Sequence, residues 1–169
     1  HRVRQVAVKT TTALALALLV TMAVTALDEL RGALAFARFD MARRMAAKMQ
    51  SEERLEVVLH RASEEAEVVM ECGIPEAQVL WEISRACRCW STGETVRDPL
   101  LRLEFAEEAT RAAALAARSA PSDYTNWLQL AHTLSALGLK EPAEQCKERA
   151  RQVAPPHKCA RTTKYQVRR

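Results

Sequence analysis

Glycine and proline are scarce in this chain, with four and six residues in 169, so few points can break a helix. Runs of β-branched residues are nearly absent, and aromatic residues make up 5%. Both scarcities argue against a sheet, whose strands favour those residue types. The four glycines are not clustered, which leaves no Gly-rich phosphate-binding loop, and no Gly-x-Ser-x-Gly nucleophile elbow occurs. His60, His132 and His157 lie far apart, without an HExxH or comparable ligand spacing. No metal, no cofactor and no catalytic residue is therefore expected. The acidic pairs Glu64-Glu65 and Glu107-Glu108 read as solvated helix faces. Cysteines number five, an odd count with no CxxC or Cys/His zinc spacing. Buried free thiols are the plain reading of Cys72, Cys87, Cys89, Cys146 and Cys159. A clip between Cys146 and Cys159 is the alternative, in an oxidising compartment.

What remains is helix-forming. Apolar residues make up 49% of the chain, and Ala, Leu, Glu, Arg, Lys, Gln and Met dominate. The length suits one ordinary domain, and the fold class expected is all-α. Acids are missing from both ends. Arg2, Arg4 and Lys9 precede any acid, and Lys158, Arg161, Lys164, Arg168 and Arg169 follow the last one. The net charge is +4; without those eight the body carries −4. Basic ends on an acidic body suit anionic lipid headgroups or acidic partner surfaces. Nucleic acid is not expected, since no aromatic residues interleave with the basic ones. Such ends are polar and disordered by themselves, so a partner is expected to hold them.

Residues 10–27 (TTTALALALLVTMAVTAL) contain no charge. With a snorkelling Lys9 the run is just long enough to span hydrocarbon, and one transmembrane helix is expected there. A secretory signal peptide and a buried core helix are the rival readings. Lys and Arg nearly tie on the two sides, so the positive-inside rule leaves the orientation open. The run continues without a breaker into residues 28–49, with Leu30, Leu34, Phe36, Phe39, Met41, Met45 and Met49 as an apolar face. Ser51 before two glutamates marks the next start, and Leu55, Val58, Leu59, Ala62, Ala66 and Val69 give residues 52–71 a helical face. Pro75 opens a further helix with Val79, Leu80, Ile83, Ala86, Cys87 and Trp90 on one stripe. Residues 91–98 read as a loop and residues 99–119 as the helix that follows.

Three positions then recur at one interval: Ala109 as Ala143, Ala116 as Ala150 and Pro121 as Pro155. Each pair is 34 apart, the period of a stacked helical hairpin. Between them Trp127, Leu130, Leu134 and Gly138 are spaced as one helix face with a glycine stop. Residues 124–155 thus resemble one unit of the tetratricopeptide (TPR) repeat, a family of protein-interaction scaffolds, with a partial unit before it. Ala131, Leu134 and Lys147 depart from the family's pattern, and a charged Lys147 fits a solvated end of a stack. The resemblance implies that the first helix of the unit lines a groove, at Thr125, Leu128, Gln129, His132 and Ser135, and that Trp127 is buried on the opposite face.

The expected organisation is a basic N-terminus and membrane helix (1–27), a TPR-like solenoid of antiparallel hairpins (28–155) and a basic tail (156–169). The expected function is a non-catalytic, membrane-anchored scaffold subunit of a larger complex of the respiratory, ATP synthase or photosynthetic kind. Its partners would be the other subunits and the bilayer. Cysteine-rich, Ala/Arg-rich usage and a start at His1 instead of Met favour the mitochondrial inner membrane, with a bacterial inner membrane as alternative. An assembly factor or targeting receptor that binds peptide segments of client proteins is the second functional reading.

Overall fold

The computed structural model describes residues 2–49, 51–72 and 76–155, except for the side chains of residues 2–13 and of Glu52. Among them every regular element is a helix. In chain order these are α1 (Arg2–Ala46), α2 (Glu52–Glu71), α3 (Ala77–Thr92), α4 (Pro99–Ser119), α5 (Tyr124–Ala136) and α6 (Lys140–Val153). The sequence marks several ends chemically. Asp98 caps α4 by accepting from the Leu100 N–H at 2.9 Å, with Pro99 in the first turn. Asp123 caps α5 in the same way through the Thr125 N–H. Gly138 stops α5 at φ 83°. There the Leu139 N–H donates to the Leu134 carbonyl at 2.9 Å and the Gly138 N–H to the Ser135 carbonyl at 3.1 Å, so two end carbonyls that a helix leaves open are satisfied.

The helices pair in order as hairpins: α1 with α2, α3 with α4, α5 with α6. The first two pairs are antiparallel by direct register. Arg38 reaches Glu65 at 3.5 Å, and a Cβ built on Gly32 would stand 3.1 Å from that of Cys72. In the second hairpin Ser84 donates to the Ala109 carbonyl at 2.8 Å and Arg102 Nε to the Ser91 carbonyl at 3.0 Å. The hairpins join through α4, which touches α2 on one side and α5 on the other, while α3 also meets α5. The alanines of α4 explain that position, because small side chains let helices approach on more than one face. Ala109, Ala112 and Ala116 belong to a core shared by α1 to α4, whereas Ala113 and Ala117 belong to a second one with Leu130, Leu134 and Ala143.

A row of aromatics threads the larger core. Phe39 of α1 lies 6.0 Å from Trp90 of α3, which lies 4.9 Å from Phe105 of α4, ring centroid to ring centroid. Tilted rings at these separations attract beyond their area burial. Of the large apolar residues expected on the buried face of α1, Phe39 enters this core and Phe36 packs against it, but small residues fill the rest of the face. Ala35, Phe39, Ala42 and Ala46 are buried, while Leu30, Leu34, Met41 and Met45 are exposed. Small residues win because α2 lies close; Cys72 leaves no room for a side chain at Gly32 without a shift.

The 34-residue interval has a structural counterpart. Ala109 and Ala116 in α4, and Ala143 and Ala150 in α6, are all buried. The link from α3 to α4, residues 93–98, is longer than the link from α5 to α6, residues 137–139, so the period does not extend back to α3. Val96, buried at 2% exposure, pins the long link to the core. The boundary expected at residues 27/28 falls inside α1, which passes it without a break.

Candidate functional site: an uncovered apolar arm and two interhelical clefts

The main surface feature is the first part of α1. Residues 14–27 are all exposed. Leu14, Leu16, Leu18, Leu19, Val20, Met22, Val24 and Leu27 each leave more than half of their surface free. They point in all directions around the helix, so no single neighbouring helix could cover them. The polar atoms of the arm are satisfied internally. Thr21 Oγ1 donates to the Ala17 carbonyl at 2.8 Å, and Thr25 Oγ1 to the Thr21 carbonyl at 3.0 Å. Threonines bonded back to their own helix present methyl groups outward.

Among the described residues no helix is long and apolar enough to cross a membrane. The span expected at residues 10–27 is therefore not borne out by them. Lys9 precedes the uncharged run and Asp28 and Glu29 follow it, so residues 10–27 make 18 uncharged positions, slightly fewer than the roughly 20 a span requires, and several of them are threonine or alanine. Of the basic residues expected to meet headgroups or partners, Arg2, Arg4 and Lys9 lie on α1 with side chains that are not described. Lys158, Arg161, Lys164, Arg168 and Arg169 lie outside the described residues, as does the Cys146–Cys159 clip. Cys72 and Cys87 are buried free thiols, Cys89 is exposed and Cys146 half-buried.

On α5, Leu128, Gln129, His132 and Ser135 are exposed, while Thr125 is half-buried, its hydroxyl donating to the Asp123 carboxylate at 2.6 Å. Leu130 and Leu134 are on the packing face as expected, but Asn126 and Thr133 share it and Trp127 lies at its edge. Asn126, Leu130, Thr133 and Leu134 are buried, a spacing of one helical stripe. Trp127 is only half-buried; its indole N–H donates to the Pro121 carbonyl at 2.9 Å, and the Arg149 guanidinium stands 6.0 Å over the ring. Asn126 takes the inner place because its amide bonds the Ala120 carbonyl at 3.3 Å. Thr133 goes inward because its hydroxyl meets that of Ser84 at 3.3 Å. Partners on other segments thus override side-chain hydropathy.

Gln129 and Thr133 form one wall of a narrow cleft whose other wall is Trp81, Ser84, Arg85 and Arg88 of α3. The Trp81 indole N–H is buried there without a partner. A second groove, between α1 and α2 at the root of the arm, holds about 470 Å³ and is lined by Leu27, Leu30, Arg31, Leu34, Arg38, Glu64, Glu65 and Val68, among others.

The acidic pairs need correction. Glu64 and Glu107 are exposed, but Glu65 is largely covered and pairs with Arg38. Glu108 sits where α2, α3 and α4 meet. Ser63 donates to one of its carboxylate oxygens, and the Cys87 thiol lies 3.4 Å from the other. Burial pushes the Glu108 carboxyl up to about 7, against the pull of its bonds to Ser63 and Cys87. Burial, aided by the Glu108 charge, pushes the Cys87 thiol well up as well. A thiol held protonated and closed to solvent is a poor nucleophile, so this trio reads as a structural contact. Among the described residues no group of three His, Cys, Asp or Glu side chains could hold a metal ion.

No family model, no curated protein and no solved structure matches this chain.

Proposed function

We propose that this chain is a non-catalytic scaffold subunit of a larger membrane protein complex. The first part of α1 holds it to the bilayer, and the stacked hairpins meet neighbouring subunits. The uncovered arm carries this reading. Eight large apolar side chains stand exposed around it, and burying each is worth about 1.5–3 kcal/mol. Leaving them in water forgoes on the order of 10 kcal/mol, as much as the whole stability of many domains. Residues 10–27 carry no charge, and basic residues stand before the run. The back-bonded threonines suit an apolar surrounding and contact with other membrane helices. The mitochondrial inner membrane is the preferred location on composition.

Purification of the native protein in mild detergent, followed by a stoichiometric mass-spectrometric inventory, tests the proposal. A one-to-one ratio with the core subunits of one complex is expected. A free monomer overturns the reading.

The α3–α5 cleft favours a second reading, that of a TPR-type assembly factor or targeting receptor for peptide segments of client proteins. Its support is the partnerless Trp81 N–H beside exposed Gln129, with Leu128 and His132 on the same open side of α5. Micromolar binding of short peptides and substoichiometric amounts in any purified complex are expected on this reading. A one-to-one ratio rules it out.

A further inference from the structure

One seam runs along the arm and on into the groove at its root. Leu16, Val20, Ala23, Leu27, Leu30 and Leu34 follow one another at alternating intervals of four and three residues. That is the heptad spacing that keeps one face of a helix toward a second helix. All six are exposed, and the last three line the groove together with Val68 of α2. Carried back toward the start of α1, the same intervals meet Ala13, Lys9, Val6 and Arg2. We propose that two copies of this chain pair antiparallel along this seam, the first turns of each α1 lying in the groove of the other.

Charge selects both the second copy and its direction. Residues 10–27 are uncharged; Lys9, with Arg4 and Arg2 beyond it, bounds them on one side, and Asp28 and Glu29 on the other. Two such helices side by side in parallel set cations on cations and acids on acids, which is unfavourable. Reversed about Leu18, the seam meets itself: Leu16 faces Val20, Ala13 faces Ala23, Lys9 faces Leu27, Val6 faces Leu30 and Arg2 faces Leu34. Each Lys9 then stands about 1.5–3 Å along the axis from the level of Asp28 and Glu29 of the second copy. The root of the arm and the groove carry Asp28, Glu29, Glu64 and Glu65 against Arg31 and Arg38, a net −2, and the incoming turns bring three cations. Of those four acids only Glu65 has an ion pair among the described residues, with Arg38 at 3.5 Å. The two-fold relation makes every contact twice. Pairing covers one stripe of each arm and leaves its other sides to their surroundings, so the inference stands apart from the attachment proposed above. Within a bilayer it puts the two bodies on opposite faces, which the near tie of Lys and Arg on the two sides of the run allows.

The test uses the full chain in mild detergent, with native mass spectrometry to count copies and cysteine cross-linking to read direction. A dimer is expected. Under mild oxidation a mixture of Val6→Cys and Leu30→Cys chains should give a disulfide-linked dimer joining one of each. Val6→Cys chains by themselves should link no more than the native chain, whose own cysteines set the background. Lys9→Glu places like charge beside Asp28 and Glu29 at both ends of the pair, so it should raise the dissociation constant about tenfold. Lys9→Glu combined with Glu29→Lys, a reversal at an exposed position, should recover most of that loss. A native monomer, self-linking of Val6→Cys above the background, or a dimer indifferent to Lys9→Glu overturns the proposal.

Discussion

Glu108 carries the clearest single-residue consequence of the packing. Unfolded, its carboxyl titrates near 4.5; in the fold burial raises this to about 7. Below pH 4.5 both states hold the proton, and the group costs nothing. Between the two values the unfolded chain ionises first, and stability falls. Above pH 7 the folded chain must bury the charge, a penalty of about 3 kcal/mol. Glu108→Gln should therefore be more stable than the native chain at pH 8, with the gap shrinking to under about 1 kcal/mol at pH 5. Chemical denaturation of both proteins across that range checks it; parallel profiles would contradict it. In the sequence Glu107 and Glu108 look alike. Only the positions of Ser63 and Cys87, on helices distant in sequence, separate them. Trp127 and Asn126 repeat the lesson. By repeat pattern the tryptophan belongs inside, but the carbonyls of Pro121 and Ala120 hold the indole at the rim and the asparagine within. Half-buried, Trp127→Ala should cost less than the roughly 3–5 kcal/mol of a fully buried tryptophan. Phe105→Ala, in the aromatic row at 0% exposure, should reach that range. Thermal denaturation of the two variants compares them, and a larger loss at Trp127 would restore the repeat-derived face.

Among the elements, those with strong end signals were legible. The starts of α2 and α4 follow from Ser51 before two glutamates, though the serine side chain makes no cap bond, and from the capping Asp98 before Pro99, and α5 stops where Gly138 supplies a positive φ. Gly138→Ala should cost about 1 kcal/mol there. The face of α1 was legible at Phe36 and Phe39 but not elsewhere, because packing of two close helices selects small residues over large ones. Cohesion also differs among the hairpins. The first two share one continuous core, while α5 and α6 rest on a small cluster of alanines and leucines. The ion pairs of α6, Lys147 with Glu144 and Arg151 with Glu148, lie at the surface and add little. The last hairpin should open before the others. In native-state hydrogen exchange the amides of α6 should exchange well ahead of those of α3 and α4. Equal protection throughout would show a single cooperative unit instead.

For the whole molecule, the all-helical class and the stacked antiparallel hairpins follow from composition and periodicity, since helix formers and apolar stripes act locally. The recurrence of Ala109 and Ala116 as Ala143 and Ala150 corresponds to four buried contacts in α4 and α6. The arm was legible as an apolar run and, for want of a breaker before residue 49, as a continuation of the helix that builds the core. What surrounds the arm is set by physical chemistry outside the chain, and the body leaves it bare. Leu18 lies midway along it and is 61% exposed. If hydrocarbon covers the arm, an arginine there costs about 2.5–3.5 kcal/mol. Alkaline extraction of membranes carrying the native chain and Leu18→Arg is the most direct test. The native chain should stay with the membrane and the variant should be released. Identical behaviour of the two, retained or released, would contradict membrane attachment through this helix.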